Sequence, residues 1–501
     1  MRAGISRFFA WFGWVGVIVT VGTLARLPRL GLSLMDEKPF RATQTAFTIR
    51  YMARHSLDPL HAHLPILGPP WTVPLEFPLF QLVAAVLVRA GLSTTTAGRL
   101  VALVCFETTA VLVFLLVQRA ASRRAAFIAL VLFQAVPYGA EFGTIVLIEF
   151  MATAFAVATV LLAWRWFDGG SVWWLAGGAL ASAGVWLVKI TTAVPWVLPV
   201  AAIAFVTLRA DWRGQWRRVA VGLAAIPGFG LVCGLWWTHF ADAQKARSPF
   251  TQFLISSHLT RWNFGTTGQR LNAGANGELI GWATEMVTGL WPVLVVAIVL
   301  IVLSRTNRLV KIAMLLVPVA AIEIFFNLYH HNDYYLAAVF PALVTIPAFA
   351  ADEASRLLAG WRPWASTAVA GFSVALVLAT TWPTGIGQDV VEVLGNHRKV
   401  PDLSRNIALR TPASANILFV GCDWSSHFLY YAGRSGLMYA PYTRQLAGRP
   451  APPLHPDYVA HTYQYVADCG DPAAIAEVPP QVQLHAITRR LFRIVGVRPG
   501  G

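Results

Sequence analysis

The chain has 501 residues, of which Ala, Val, Ile, Leu, Met, Phe, Trp, Tyr and Cys make up 56% and charged residues only 13%. Soluble domains carry about 25% charged residues. A chain of this length would make roughly three such domains. It has too few polar side chains to cover them, so lipid is the solvent for most of it. The net charge is +15, from 39 Lys and Arg against 24 Asp and Glu. Those basic residues fall in short clusters between apolar runs, the pattern that orients a multispanning protein rather than a nucleic-acid-binding face. The sequence therefore predicts a polytopic α-helical membrane protein with no nucleic-acid partner.

Runs long enough to cross a membrane, allowing short ones whose ends are buried in protein, are 8–27, 99–117, 125–138, 147–166, 172–188, 192–208, 218–238, 286–304, 312–328, 335–351 and 364–383. The first follows Arg2 and Arg7 with no small-residue cleavage site, so it is expected to stay as an anchor. A further run, 79–92 (LFQLVAAVLVRAGL), would reverse the direction of everything downstream if it crossed. Charge decides against that. With 79–92 lying flat, the cytoplasmic loops carry Arg119, Arg123 and Arg124; Arg209, Arg213, Arg217 and Arg218; Arg305, Arg308 and Lys311; Arg356 and Arg362. The short opposite loops, 139–146 and 329–334, then hold no Lys or Arg. The prediction is about eleven spans in the plasma membrane, with the N-terminus cytoplasmic and 79–92 an interfacial helix.

On this count residues 28–98 form a large first outer loop, 239–285 a second, and 384–501 an outer C-terminal domain beside a membrane core over 1–383. Residues 384–501 lack long apolar runs and show stretches such as ANILFVG between Pro-rich turns, which predicts a small α/β fold. Cys105 and Cys233 lie in apolar runs as small hydrophobes. Cys422 and Cys469 are in the polar tail, where an oxidising compartment would let them pair.

Ionisable groups near membrane depth are costly and mark candidate function. MDEKPFRATQTAF sets Asp36 and Glu37 just past the first span, among aromatics and before PPWTVPLEFPLFQ. YGAEFGTIVLIEF holds Glu141 and Glu149 after the third span; a helix dipole alone would also favour a carboxylate there. Lys189, between the fifth and sixth spans, either snorkels to the headgroups or holds a phosphate. NLYHHNDYY gathers His330, His331, Asp333 and two tyrosines in a short outer turn. Arg247, Arg261 and Arg270 lie in the 239–285 loop, where solubility would also explain them.

The Asp-Glu opening of the first loop, FRATQTA, LEFPLFQ, the acid after the third span and HNDYYLAAVFPAL together resemble the C-type membrane glycosyltransferases. Within these the chain is similar to the dolichyl-phosphate-mannose–protein mannosyltransferases and the lipid A aminoarabinose transferases. The pattern covers roughly residues 1–350. The resemblance implies an inverting enzyme of the cell envelope that passes a sugar from a polyprenyl-phosphate-linked donor to a glycan, lipid or protein acceptor at the outer face. It implies Asp36 as the base, with Glu37 beside it, and a second acidic position at Glu141 or Glu149, where the family commonly has aspartate. His330, His331 and Asp333 fall in the turn the family often decorates with His and Tyr.

The chemistry asks for the same residue types. A carboxylate takes the acceptor's proton, and Lys189 with Arg41 or Arg261 would stabilise the departing phosphate. A second carboxylate could bind the acceptor or a divalent ion; no metal-ligand spacing is present, which leaves cofactors open. The rival reading is a transporter or lipid flippase of envelope precursors. It predicts similar halves and polar midplane helices, whereas the halves look unlike and only Glu107 and Glu323 lie well inside spans. A non-catalytic assembly subunit is a third reading, favoured if neutralising Asp36 left activity intact.

Overall fold

The computed structural model describes residues 2–35, 38–359, 364–383, 399–439 and 451–498. Each apolar run falls on helix. The first half contains α1 (Arg2–Arg26), α2 (Pro39–Arg54), α3 (Leu79–Arg89), α4 (Thr94–Ala120), α5 (Arg123–Ala135), α6 (Pro137–Phe142), α7 (Glu149–Gly169) and α8 (Val172–Val188). Next come α9 (Ile190–Ala193), α10 (Val197–Ala210), α11 (Trp212–Leu223) and α12 (Phe229–Lys245). After them lie the short α13 (Thr260–Phe264), α14 (Thr267–Arg270) and α15 (Ala273–Ala283), followed by α16 (Trp291–Val302), α17 (Arg308–Ile324), α18 (Phe326–His331), α19 (Phe340–Ala359) and α20 (Ala365–Thr381).

Among the described residues four helical stretches are long and apolar enough by themselves to cross a membrane: Thr94–Ala120, Glu149–Gly169, Ile190–Ala210 and Trp212–Lys245. The last is continuous because Pro227, which cannot donate to the helical ladder, is absorbed in a wide turn over Ala224–Gly228. The 11 residues of α3 rise about 16 Å, half of a ~30 Å hydrocarbon layer. That length suits a helix lying in the interface.

Local chemistry fixes the ends of these elements. Ser93 and Ser122 accept from the backbone N–H of Thr96 and Ala125, capping α4 and α5. Lys189 takes an extended conformation that separates α8 from α9. α7 packs against α4, α8 and α10, and its start is buried under rings from several helices. Phe106 and Phe133 lie 4.8 Å apart between centroids, Phe133 and Phe340 4.6 Å, and Phe106 and Phe150 4.9 Å. Arg26, at the end of α1, sits 4.4 Å over Phe106 and donates to Gln134 Oε1 and to the carbonyls of Gln134 and Gly139. Lys311 is buried and paired with Glu353 at 2.6 Å, so it is not the loop charge the orientation argument used. The neighbouring Arg305 and Arg308 remain exposed.

Past residue 399 the chain forms α21 (Asp402–Arg410), α22 (His427–Ala432) and α23 (Pro456–Thr462) around five strands. These are β1 (Asn416–Val420), β2 (Ser435–Met438), β3 (Tyr465–Asp468), β4 (Val482–Thr488) and β5 (Leu491–Val497), in the order β2-β1-β3-β5-β4. β1 pairs in parallel with β2 and β3, with Leu418 opposite both Leu437 and Val466; β5 is antiparallel to β3 and β4. β1 is flanked on both sides, so its NILFV is buried at four of five positions rather than alternating.

The sheet is sewn to the first loop. Gly436 and Met438 donate to the carbonyls of Pro65 and Ile66, and Leu67 bridges to Leu437. Cys422 and Cys469, just past the carboxyl ends of β1 and β3, are joined as a disulfide with their Cα atoms 5.4 Å apart.

Candidate active site

A cavity of about 540 Å³ opens where α2, the α8–α9 break, the end of α12 and the turn after α18 converge, and residues 423–424 close one side. Its size suits a small ligand or part of a larger one. Each wall is placed by a local device. The extended backbone at Lys189 turns that side chain inward, leaving it 4% exposed. The 3-10 turn Asp333–Ala338 is pinned by Tyr138, which donates to the carbonyls of Asp333 and Tyr334, by Thr153 on Ala337, and by Trp196 on Ala338. This aims Tyr334 and Tyr335 at the cavity. Asp423 and Trp424 lie on the loop off the carboxyl end of β1, the edge where ligands approach parallel strands at a reversal of order. Trp424 packs edge-on against Phe40 at 5.3 Å and Phe253 at 5.6 Å.

Four cations line this space, and each has one carboxylate. Lys38 meets Asp333 at 2.6 Å, Arg41 meets Glu76 at 2.9 Å, Lys245 meets Asp242 at 3.3 Å, and Lys189 donates to Glu149. Arg41 also donates to Gln44 Oε1 at 2.9 Å. Lys189 lies 4.1 Å from the Tyr335 ring centroid and 5.6 Å from that of Tyr334. Glu149 opens α7 and is buried behind Lys189, where its second oxygen has no hydrogen-bond partner among the described residues.

Burial by itself would raise the Glu76 carboxyl; Arg41 and then Lys189 outweigh it and hold it below the ordinary glutamate range. A third acid in the wall beside Glu76 and Asp242, Asp423 accepts only from the Trp424 backbone N–H and has no cationic partner among the described residues. It is reachable from solvent yet enclosed on its inner side, and that enclosure pushes its carboxyl up.

Of the residues expected from sequence, Lys189 and Arg41 line the cavity, and Asp333 and Glu149 hold two of its cations. Asp36 and Glu37 lie outside the described residues. Arg261 is exposed and outside the lining, although its neighbours Trp262 and Asn263 belong to it. His330 faces Glu278 at 3.5 Å, and His331 donates to the Asn327 carbonyl; neither is in the wall. Glu141 is on α6, where its backbone carbonyl accepts from Arg29. Among the described residues no three His, Cys, Asp or Glu side chains come together as a metal site.

Sequence reasoning missed Lys38, Glu76, Asp242, Lys245, Asp423 and Trp424. Glu76 stood inside the quoted LEFPLFQ and was the one with a legible signal, a lone acid among prolines and aromatics. α12 continues helical past the apolar run, which ended at 238, and this carries Asp242 and Lys245 into the site.

The fold is shared with solved structures of ArnT and of an archaeal oligosaccharyltransferase. The chain superimposes on ArnT from Cupriavidus metallidurans in the apo state with a TM-score of 0.62 and 17% identity, covering 97% of this chain and 98% of that one. The same protein bound to undecaprenyl phosphate gives 0.60 at 15%, covering 96% and 98%. The oligosaccharyltransferase of Archaeoglobus fulgidus in the apo form gives 0.56 at 13%, covering 91% of this chain and 69% of the other. No protein-family model matches the chain, and no curated protein matches it in sequence.

Proposed function

We propose that the chain is an inverting glycosyltransferase that takes a sugar from a polyprenyl-phosphate-linked donor and passes it to an acceptor at the outer face of the plasma membrane. One observation carries the reading: four cations are gathered among tryptophans and tyrosines at one end of the apolar helices. The fold is shared with a structure holding undecaprenyl phosphate. A lipid phosphate needs that combination, with apolar walls for the chain and fixed positive charge for the head.

In the reaction the acceptor hydroxyl oxygen attacks the anomeric carbon as the bond to the phosphate oxygen breaks. The hydroxyl proton passes to a carboxylate, and the polyprenyl phosphate leaves as a monoester with one further negative charge. Lys38, Arg41, Lys189 and Lys245 stabilise that charge. Their carboxylate partners keep them in place. Asp36 is the base, supported by Glu37, as the resemblance of the first loop implies; in the chain the two immediately precede Lys38. Glu149 and Asp333 act by holding cations; Arg261, His330, His331 and Glu141 are left to the approach of the acceptor.

We assign eleven spans, a cytoplasmic N-terminus, and the outer side to residues 28–98, 239–285 and 384–501. The Cys422–Cys469 disulfide supports an oxidising compartment for the last of these. Residues 1–383 then form the membrane core and 384–501 an outer domain.

The test is radiolabelled sugar transfer from a polyprenyl-phosphate donor in membranes containing the parent or Asp36→Asn. Loss of a proton acceptor should lower the rate roughly 10²–10⁴-fold. Undiminished transfer in Asp36→Asn removes that residue from the role, and loss in Asp423→Asn would move the base to the opposite wall.

A further inference from the structure

A second hollow, of about 190 Å³, lies between the C-terminal half of α2 and the amino ends of β1 and β2. Its charge differs in kind from that of the first cavity. Arg50, Arg54, His55 and Arg434 line it, and no Asp or Glu does.

Arg434 forms part of the floor, 8% exposed. Its Nε donates to Thr411 Oγ1, Nη1 to the carbonyls of Ala432 and Gly433, and Nη2 to those of Ala408 and Thr411. Every one of these acceptors is a neutral oxygen. Burial lowers its affinity for the proton, and no carboxylate opposes that. A charge enclosed without a counter-charge is costly.

Arg50 lies over the Tyr430 ring at 3.8 Å and spends one N–H on the Tyr430 carbonyl, at 2.7 Å. Arg54, one turn further along α2, is exposed and has no hydrogen bond or ion pair among the described residues. The carbonyls at the end of α2, which would repel an anion, are covered by Arg89, donating to Ala53 at 3.0 Å and Met52 at 3.3 Å.

We propose that this hollow is an anion site that binds a phosphate group, with Arg50 and Arg54 as its forks and Arg434 as fixed positive charge beneath. On the transferase reading, on which this further step rests, the phosphate belongs to the acceptor. Helix rise sets Arg50 and Arg54 about 14–20 Å from Arg41 along α2. The acceptor's phosphate therefore lies about that far from the hydroxyl that receives the sugar.

The test is equilibrium binding of radiolabelled inorganic pyrophosphate to the purified full chain in non-ionic detergent at low ionic strength. The parent should show two sites. Arg41→Gln should remove the one in the first cavity, Arg54→Gln should weaken the other about tenfold, and Arg54→Lys should retain most of it. Arg54 supports nothing else, so an unchanged melting temperature will mark the variant as folded. Parent-like binding in Arg54→Gln and in the Arg50→Gln/Arg54→Gln double variant would overturn the site.

Vesicles of phosphatidylglycerol and of phosphatidylcholine serve as competitors. Displacement by the first alone assigns the anion to a lipid headgroup; displacement by neither is the result expected of an acceptor phosphate and excludes the headgroup. If Arg54→Gln loses binding while the parent transfers no sugar, the transferase reading fails and the anion site stands.

Discussion

Lys189 and Glu149 are both about 4% exposed, so neither has water to fall back on if the other is removed. Breaking such a pair costs about 3–5 kcal/mol, whereas replacing both partners with uncharged groups of similar size is close to neutral. Glu149→Gln and Lys189→Met should each lower the melting temperature in detergent, and the double variant should recover most of the loss. Sugar transfer should not recover, because the phosphate's cation is gone. Recovery of both would make the pair purely structural.

Glu76 provides a pH signature. Its carboxyl titrates below the unfolded value, so it contributes stability at neutral pH that fades as pH falls through its folded value. Melting curves taken from pH 5 downward, through and below the ~4.3 of an unfolded glutamate, should show a steeper acid loss in the parent than in Glu76→Gln. At this scale the sequence was partly legible. Lys189 and Arg41 could be picked out as charges in apolar surroundings. The one-to-one pairing could not, since Lys38 and Asp333 are nearly three hundred positions apart.

Helix ends, more than helix interiors, make the site. The apolar period announces α7, α8 and α12, but not that α8 stops one residue short of Lys189 or that α12 runs seven residues past its apolar stretch to Lys245. Polar residues at a helix end carry no marker of whether they face protein or water. That is why Arg261 and the His330–His331 pair were as plausible in the sequence as Lys245.

The loop from β1 into α22 is held from below by the disulfide and by His427, whose Nδ1 lies 2.6 Å from Ser425 Oγ. Burial pulls His427 down to about 4 from the usual ~6.5. It is therefore neutral in the fold and charged in the unfolded chain between those values, and stability should drop by about 3 kcal/mol as pH falls from 6.5 to 4. His427→Gln should flatten that part of a protection profile measured by hydrogen exchange on residues 416–438. An unchanged slope would show that His427 is not the titrating group. Closing a 47-residue separation, the disulfide adds about 4 kcal/mol by loop entropy. Cys422→Ser with Cys469→Ser should accordingly loosen the same segment.

Across the whole molecule the mostly helical, apolar character of the fold was the most legible part, because an apolar run is a local property of its own residues. The C-terminal sheet was recognisable as α/β, but its place was not. Only the three-dimensional structure sets Asp423 and Trp424 into a cavity built mainly from residues 38–335, and sets Arg434 opposite Arg50 and Arg54. The tail thus forms one wall of each hollow.

On the proposed function the larger cavity holds a polyprenyl phosphate by its four cations. Four tryptophans, Trp186, Trp237, Trp262 and Trp424, line it and report on its occupancy. Titrating undecaprenyl phosphate into the purified protein in non-ionic detergent should change their fluorescence saturably, with affinity falling at least tenfold in Arg41→Gln and in Lys245→Gln and unchanged in Arg54→Gln. No saturable signal, or equal affinity in all of these proteins, would contradict the account.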